Sequence, residues 1–266
     1  MAIARPAAVV PEMEAVSVRK IDLHDLRIAL DQGWKDFLDL RGDLVFIGLI
    51  YPAVVVLAII YAFQQSILPL IFPLVAGSIL FGPAVAAGFY ELARRREQGL
   101  DTRYRHFLDV MRGPAAFSLF ALSTMLFLLF MFWIIAAWLI YVSTLGTAVP
   151  EAARSLPTFL KAVFSTPAGW KMIVAGNLVG MVFVVLALAF SVVSFPMVVD
   201  RPVSAGDAMR TSFAVARKSP VAVAVWGLIV VAMLVIGSLP AFIGLAVVLP
   251  VLGYSTWHLY TRAVSR

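Results

Sequence analysis

Chemistry in this chain has to be carried by few side chains. The polar groups read within its long apolar stretches are Ser78, Ser118, Ser123, Thr124, Asn177, Ser191, Ser194 and His258. A serine hydrolase needs a hydroxyl within hydrogen-bond reach of a histidine. Ser78 and His258 are the pair that comes to mind, and their depths in the sequence do not match. Most of the hydroxyls instead suit a bond to the preceding helical turn. The histidines are His24, His106 and His258, with no i, i+4 pairing to grip a metal, and cysteine is absent, which removes thiolate zinc sites and disulfides. A phosphate-cradling glycine loop is missing. Asp101, His106 and Asp109 come nearest to a cluster at one interface, and a charge-rich surface helix accounts for them. The expectation is therefore a non-enzyme, with no catalytic residue, no metal and no cofactor.

The elements that hold these residues are apolar. Hydrophobic residues make up 62% of the 266 and charged ones 14%, against roughly 25% charged in soluble proteins. About 20 apolar residues span a bilayer as a helix. Six spans are read, at about 44–63, 67–90, 114–141, 172–195, 221–237 and 241–260, following a disordered tail at 1–20. Gln64-Gln65-Ser66 and Ser238-Leu239-Pro240 make tight turns between neighbours. The spans carry no Asp, Glu, Lys or Arg away from their ends, which argues against a carboxylate-lined ion path.

Lysine and arginine set orientation. Eighteen lie in residues 1–43, 91–113, 196–220 and the tail after Tyr260, whereas Arg154, Lys161 and Lys171 lie in the 142–171 loop. Both termini are thus expected in the cytoplasm, and the net charge of +6 follows topology rather than nucleic acid.

A phrase repeats on the basic side: FLDLRGD at Phe37–Asp43, FLDVMRGP at Phe107–Pro114 and FAVARKSP at Phe213–Pro220. Each follows a two-faced helical pattern. The first places Leu23, Leu26, Leu30, Trp34 and Phe37 on the apolar face, with Asp25, Arg27, Asp31, Lys35, Asp36 and Asp39 on the other. The second uses Tyr104, Phe107, Leu108 and Met111. The third opens at a Ser204/Asp207 capping pair and continues through Ala208, Met209, Ser212, Phe213 and Ala216. The architecture read from this is all-α: three units, each a cytoplasmic amphipathic helix plus a transmembrane hairpin.

Interfacial helices bury an apolar stripe and hold cations at the headgroups. Arg41, Arg94, Arg95, Arg96, Arg112, Arg201, Arg217 and Lys218 are the candidate contacts with anionic headgroups. The external loop carries Leu156, Phe159, Leu160, Val163 and Phe164 at helical spacing, which predicts a short surface helix. Gly176 and Gly180 form a small-xxx-small spacing.

The run FGPAVAAGFYELARRREQGLDTRYRHFLDVMRG resembles an uncharacterised proteobacterial integral membrane family, a domain of unknown function, over most of the chain from about Val18. Asp200, Arg201, Ser204, Ala208 and Ser212 fit a D-R-x-x-S-x-x-x-A-x-x-x-S cytoplasmic motif that resembles several bacterial multipass families. The resemblance implies a six-span protein of the bacterial inner membrane and assigns no catalytic residue. The leading expectation is a scaffold, assembly factor or accessory subunit that acts through a membrane-protein partner or a second copy. The alternative is a transporter or channel for a weakly polar or apolar solute, with a path lined by Ser78, His258 or Asn177.

Overall fold

The computed structural model describes residues 17–40, 53, 57, 68–240 and 242–265. The first expected span, its turn and Arg41 lie outside the described residues, apart from Ala53 and Leu57, which are helical; so does most of the expected tail.

Among the described residues the chain is all-helical. In order come α1 (23–40), α2 (Leu68–Ser78), a short α3 (Gly82–Val85), α4 (Ala87–Glu97), a 3-10 helix (Tyr104–Met111), α5 (Ala116–Tyr141), α6 (Leu156–Ser165), α7 (Pro167–Ser191), α8 (Ser194–Asp200), α9 (Ala205–Lys218), α10 (Pro220–Ser238) and α11 (Leu245–Ala263). Four stretches have the length and hydropathy to cross a membrane: Leu68–Glu97, Ala116–Gly146, Pro167–Asp200 and Pro220–Ser238. They coincide with the second to fifth expected spans. The fourth starts earlier than expected, at Pro167, because Thr166 caps it by accepting from the Gly169 N–H at 3.0 Å.

These helices are apolar on all sides, as lipid requires. α5 turns Leu119, Leu122 and Leu126 inward and leaves Phe117, Phe120 and Phe132 outside. Backbone groups are satisfied within each helix, so side-chain packing sets the arrangement. Gly77 and Gly180 both lie under aromatic residues of α5: an added Cβ would stand 2.5 Å from Phe130 at Gly77 and 2.6 Å from Trp133 at Gly180. The indole of Trp133 also donates to the Pro73 carbonyl at 2.8 Å, tying α5 to α2.

α11, where the sixth span was expected, behaves differently. From Val251 to Ala263 it carries the most enclosed large side chains in the chain, with Tyr254, Trp257 and Tyr260 fully buried. Around this half pack α1, α4, α8 and α9, which form a layer at the basic end of the bundle. The segment before α1 pairs with the segment after α11: Val18 and Val264 form an antiparallel bridge, and the Arg19 N–H donates to the Ala263 carbonyl at 2.7 Å. At the opposite end the expected short helix forms as α6, which packs on α7 with its Phe159 ring 6.4 Å from Tyr141; Ser155 and Thr158 cap it reciprocally.

Two amphipathic patterns need correction. α1 buries Leu26, Ala29, Gly33, Asp36 and Phe37 and exposes Leu23 and Trp34, so the inward face is turned toward the side on which Asp36 sits. The segment after α4 is a 3-10 helix, in which residues three apart eclipse. Phe107 and Val110 face inward, while Tyr104, Leu108 and Met111 are exposed.

Candidate functional site

The polar residues of the basic end converge on α11. His258 Nε2 lies 2.8 Å from Asp36 Oδ2, and its Nδ1 is 4.0 Å from Glu97 Oε1. The Trp257 indole donates to the same Glu97 oxygen at 3.0 Å. Arg96 Nε approaches Asp36 Oδ1 at 3.3 Å and its guanidinium also meets Asp39. Asp36 is buried because Gly33, one turn earlier, lets α1 touch α11; an added Cβ there would fall 2.1 Å from Ser255 Oγ. A charge this far from water is stable only when paired and hydrogen-bonded. The histidine and arginine provide that pairing.

Beside it, buried Glu91 receives Arg94 through Nε at 2.9 Å and Nη2 at 2.8 Å, and Arg95 through Nε at 2.8 Å. Arg95 continues to Asp109 at 3.0 Å, where His106 Nδ1 joins at 2.6 Å. His106 Nε2 also lies 3.3 Å from Asp101. Asp101 is held well below the usual carboxylate range, at about 2, first by the Arg103 backbone N–H and then by Arg105 and His106. Asp109 is lowered too, chiefly by His106. The cluster read at Asp101, His106 and Asp109 therefore forms, as a link between the 3-10 helix and α4.

The D-R-x-x-S-x-x-x-A-x-x-x-S residues each hold a joint. Asp200 accepts from the Tyr260 hydroxyl at 2.7 Å, and Arg201 donates to the Ser265 carbonyl at 3.2 Å. Ser204 caps α9, accepting from the Asp207 N–H at 3.1 Å. Ala208 is fully buried in the layer's core. Ser212 sits at the break between α7 and α8, where it donates to the Ala189 carbonyl at 2.8 Å and accepts from the Val193 N–H at 3.4 Å. In this chain these five residues serve the packing of the layer.

The arginines taken as headgroup contacts divide. Arg94, Arg95 and Arg96 are engaged with carboxylates, and Arg201 with the Ser265 carbonyl. Arg112 and Arg217 are exposed, and Lys218 reaches the Val18 carbonyl at 2.8 Å. Arg94, Arg95 and Arg201 share a polar pocket of about 320 Å³, in which Glu91, Asp109 and Asp200 balance them.

Above this layer lies a cavity of about 510 Å³ among α2, α3, α4, α7, α10 and α11. Phe72, Trp133, Met181, Trp226, Leu234 and Leu252 are among its walls, and its lining includes no charged side chain among the described residues. Its hydroxyl and amide groups are Asn177 toward the α6 end and Tyr90, Ser191 and Thr256 toward the polar layer. Of the residues expected to line a path, Asn177 does so and His258 is absent from the wall; the Ser78 side chain lies outside the described residues. Thr124 and Ser191 bond to their own helices as expected, and the Asn177 amide also donates to its own helix, at the Ile173 carbonyl. Ser118 instead donates to the Val203 carbonyl at 2.9 Å.

Sequence reading missed Glu97, Tyr90, Tyr254, Ser255 and Thr256, and placed Asp36 on the solvent side. The available signal was polar residues along one face of α11, Tyr254, Trp257, His258 and Thr261, in a helix otherwise read as lipid-facing. No group of three or more His, Asp or Glu residues arranged to hold a metal occurs among the described residues.

Residues 71–200 match the family model described as "Predicted integral membrane protein (DUF2189)". Neither the curated proteins nor the solved structures contain a match to the chain. The apolar helices and this match together make the chain an integral membrane protein of all-helical fold.

Proposed function

We propose that the protein is a six-span protein of the bacterial inner membrane, both termini cytoplasmic, that works without catalysis as a scaffold, assembly factor or accessory subunit. The observation that carries this reading is the layer at the basic end. Salt bridges and buried aromatics from α1, α4, α8, α9 and α11 fill it, so Asp36, Glu97 and His258 face one another rather than a substrate. Its outer surface still presents Leu23, Trp34, Leu108 and Met111, exposed between charges. Apolar side chains on a rigid, charge-rimmed platform suit contact with another membrane protein or with headgroups. The eighteen-to-three division of basic residues supports the cytoplasmic orientation of this platform.

Affinity purification from native membranes in a mild detergent tests the reading. A partner, or a second copy, recovered in fixed stoichiometry is the expected result. Recovery of the chain alone contradicts it. Reporter fusions at residues 100 and 150 test the orientation, with the first expected in the cytoplasm and the second outside.

A second reading, a carrier for an apolar solute, is favoured by the 510 Å³ cavity between the membrane helices.

A further inference from the structure

We propose that this cavity is a binding site for a neutral amphipath: a hydrocarbon tail ending in an uncharged hydrogen-bonding group such as a hydroxyl or carbonyl. The site stands on its own geometry, whether or not the protein transports what it binds.

Shape comes first. The wall contributed by α7 runs from Gly176 to Val192. Sixteen residues of helix advance about 24 Å, so the cavity is long enough for an extended hydrocarbon chain to lie along α7.

Chemistry comes second. The described residues of the lining offer no counter-charge, so an ionised headgroup there would be expensive and a neutral one fits. The hydroxyls at the inner end are not equivalent. Ser191 and Thr256 donate to the carbonyls of their own helices at 2.7 Å, leaving oxygen lone pairs to accept. The Tyr90 hydroxyl lies against Thr256. These groups suit a headgroup that both donates and accepts, directed toward the polar layer, while the chain runs outward past Trp133 and Met181.

Glycines make the site testable. An added Cβ at Gly82 or Gly176, on opposite walls, meets no atom of the described residues within 4 Å, whereas at Gly180 it would strike Trp133. Larger side chains at Gly82 and Gly176 therefore enter the cavity without displacing a neighbour.

The experiment uses the full chain in nanodiscs and a hexadecanol probe bearing a diazirine on its chain. Expected is saturable labelling of residues 176–191, displaced by unlabelled hexadecanol. The matching palmitate probe should label at least tenfold less. Gly176→Leu and Gly82→Leu should each lower hexadecanol labelling at least tenfold while the unfolding temperature stays unchanged or rises. Tyr90→Phe should lower it several-fold. Unsaturable labelling, equal labelling by alcohol and carboxylate, or full labelling of the glycine variants overturns the proposal. So does a fall in unfolding temperature in both glycine variants, which would mean that residues 41–67 of the chain already fill the space.

Discussion

Ser212 shows how one hydroxyl determines the course of a membrane helix. α7 stops at Ser191 and α8 resumes at Ser194, which leaves an acceptor at Ala189 and a donor at Val193 inside the protein. Ser212 answers both. Ser212→Ala should cost about 1–3 kcal/mol, the penalty of leaving buried polar groups unmade, readable as a lowered unfolding midpoint in mild detergent; Thr211→Ala, one residue away, is the control. The Asp36–His258 pair should behave similarly. Asp36→Ala takes the close partner from His258 and leaves Arg96 with Asp39, a loss of about 1–3 kcal/mol. The double replacement Asp36→Leu with His258→Leu should cost less than the two single losses added together, which a double-mutant cycle measures. Asp101 gives a pH prediction. Its folded pKa, about 2, lies below the ordinary 3.8. Its contribution is therefore complete above about pH 4 and is lost as pH falls toward 2. Amide exchange in residues 101–112 should accelerate across that window and stay flat between pH 5 and 7.

At the scale of elements, α1 depends on one glycine. Gly33 brings its backbone against Ser255, so Gly33→Leu should push α1 off α11 and break the Asp36–His258 contact. Limited proteolysis should then cut within residues 20–40 while the fragment from α2 to α11 survives. Uniform resistance would show that α1 is held elsewhere. This element also shows what the sequence could and could not convey. α5, α7 and α10 were legible because a continuous apolar run has one low-energy form in lipid, a helix whatever its neighbours. The layer was harder to read. α1 was seen as two-faced, but Leu23 and Trp34 were put on one apolar stripe with Leu26 and Phe37, and Asp36 on the charged face. Its true inner face carries a glycine and an acid, whose burial makes sense only beside Ser255 and His258, more than two hundred residues away. The 3-10 geometry of Tyr104–Met111 shifted a second stripe for a local reason: a period of three aligns Phe107 with Val110 rather than with Met111. In the candidate site the arginines were visible as cations. Their carboxylate partners at Glu91 and Asp109 were within reach of the sequence, and Asp36 and Asp39 for Arg96 were not.

Taken whole, the molecule is a bundle with unlike ends. Lipid-facing helices surround an uncharged cavity, and beneath them lies a layer packed like a soluble core and laced with ion pairs. The segments at Val18 and Val264 pair in that layer, so α1 and the end of α11 share one side of the bundle whatever the number of spans. The central claim is that this layer is a docking platform, and a photo-crosslinking amino acid at its outer surface tests it most directly. Placed at Trp34 or at Met111 and activated in native membranes, it should give a discrete protein adduct of defined mass from both positions, with none from Phe132 on the lipid-facing side of α5. Adducts to lipid alone at Trp34 and Met111 would contradict the claim and make the layer an interfacial anchor.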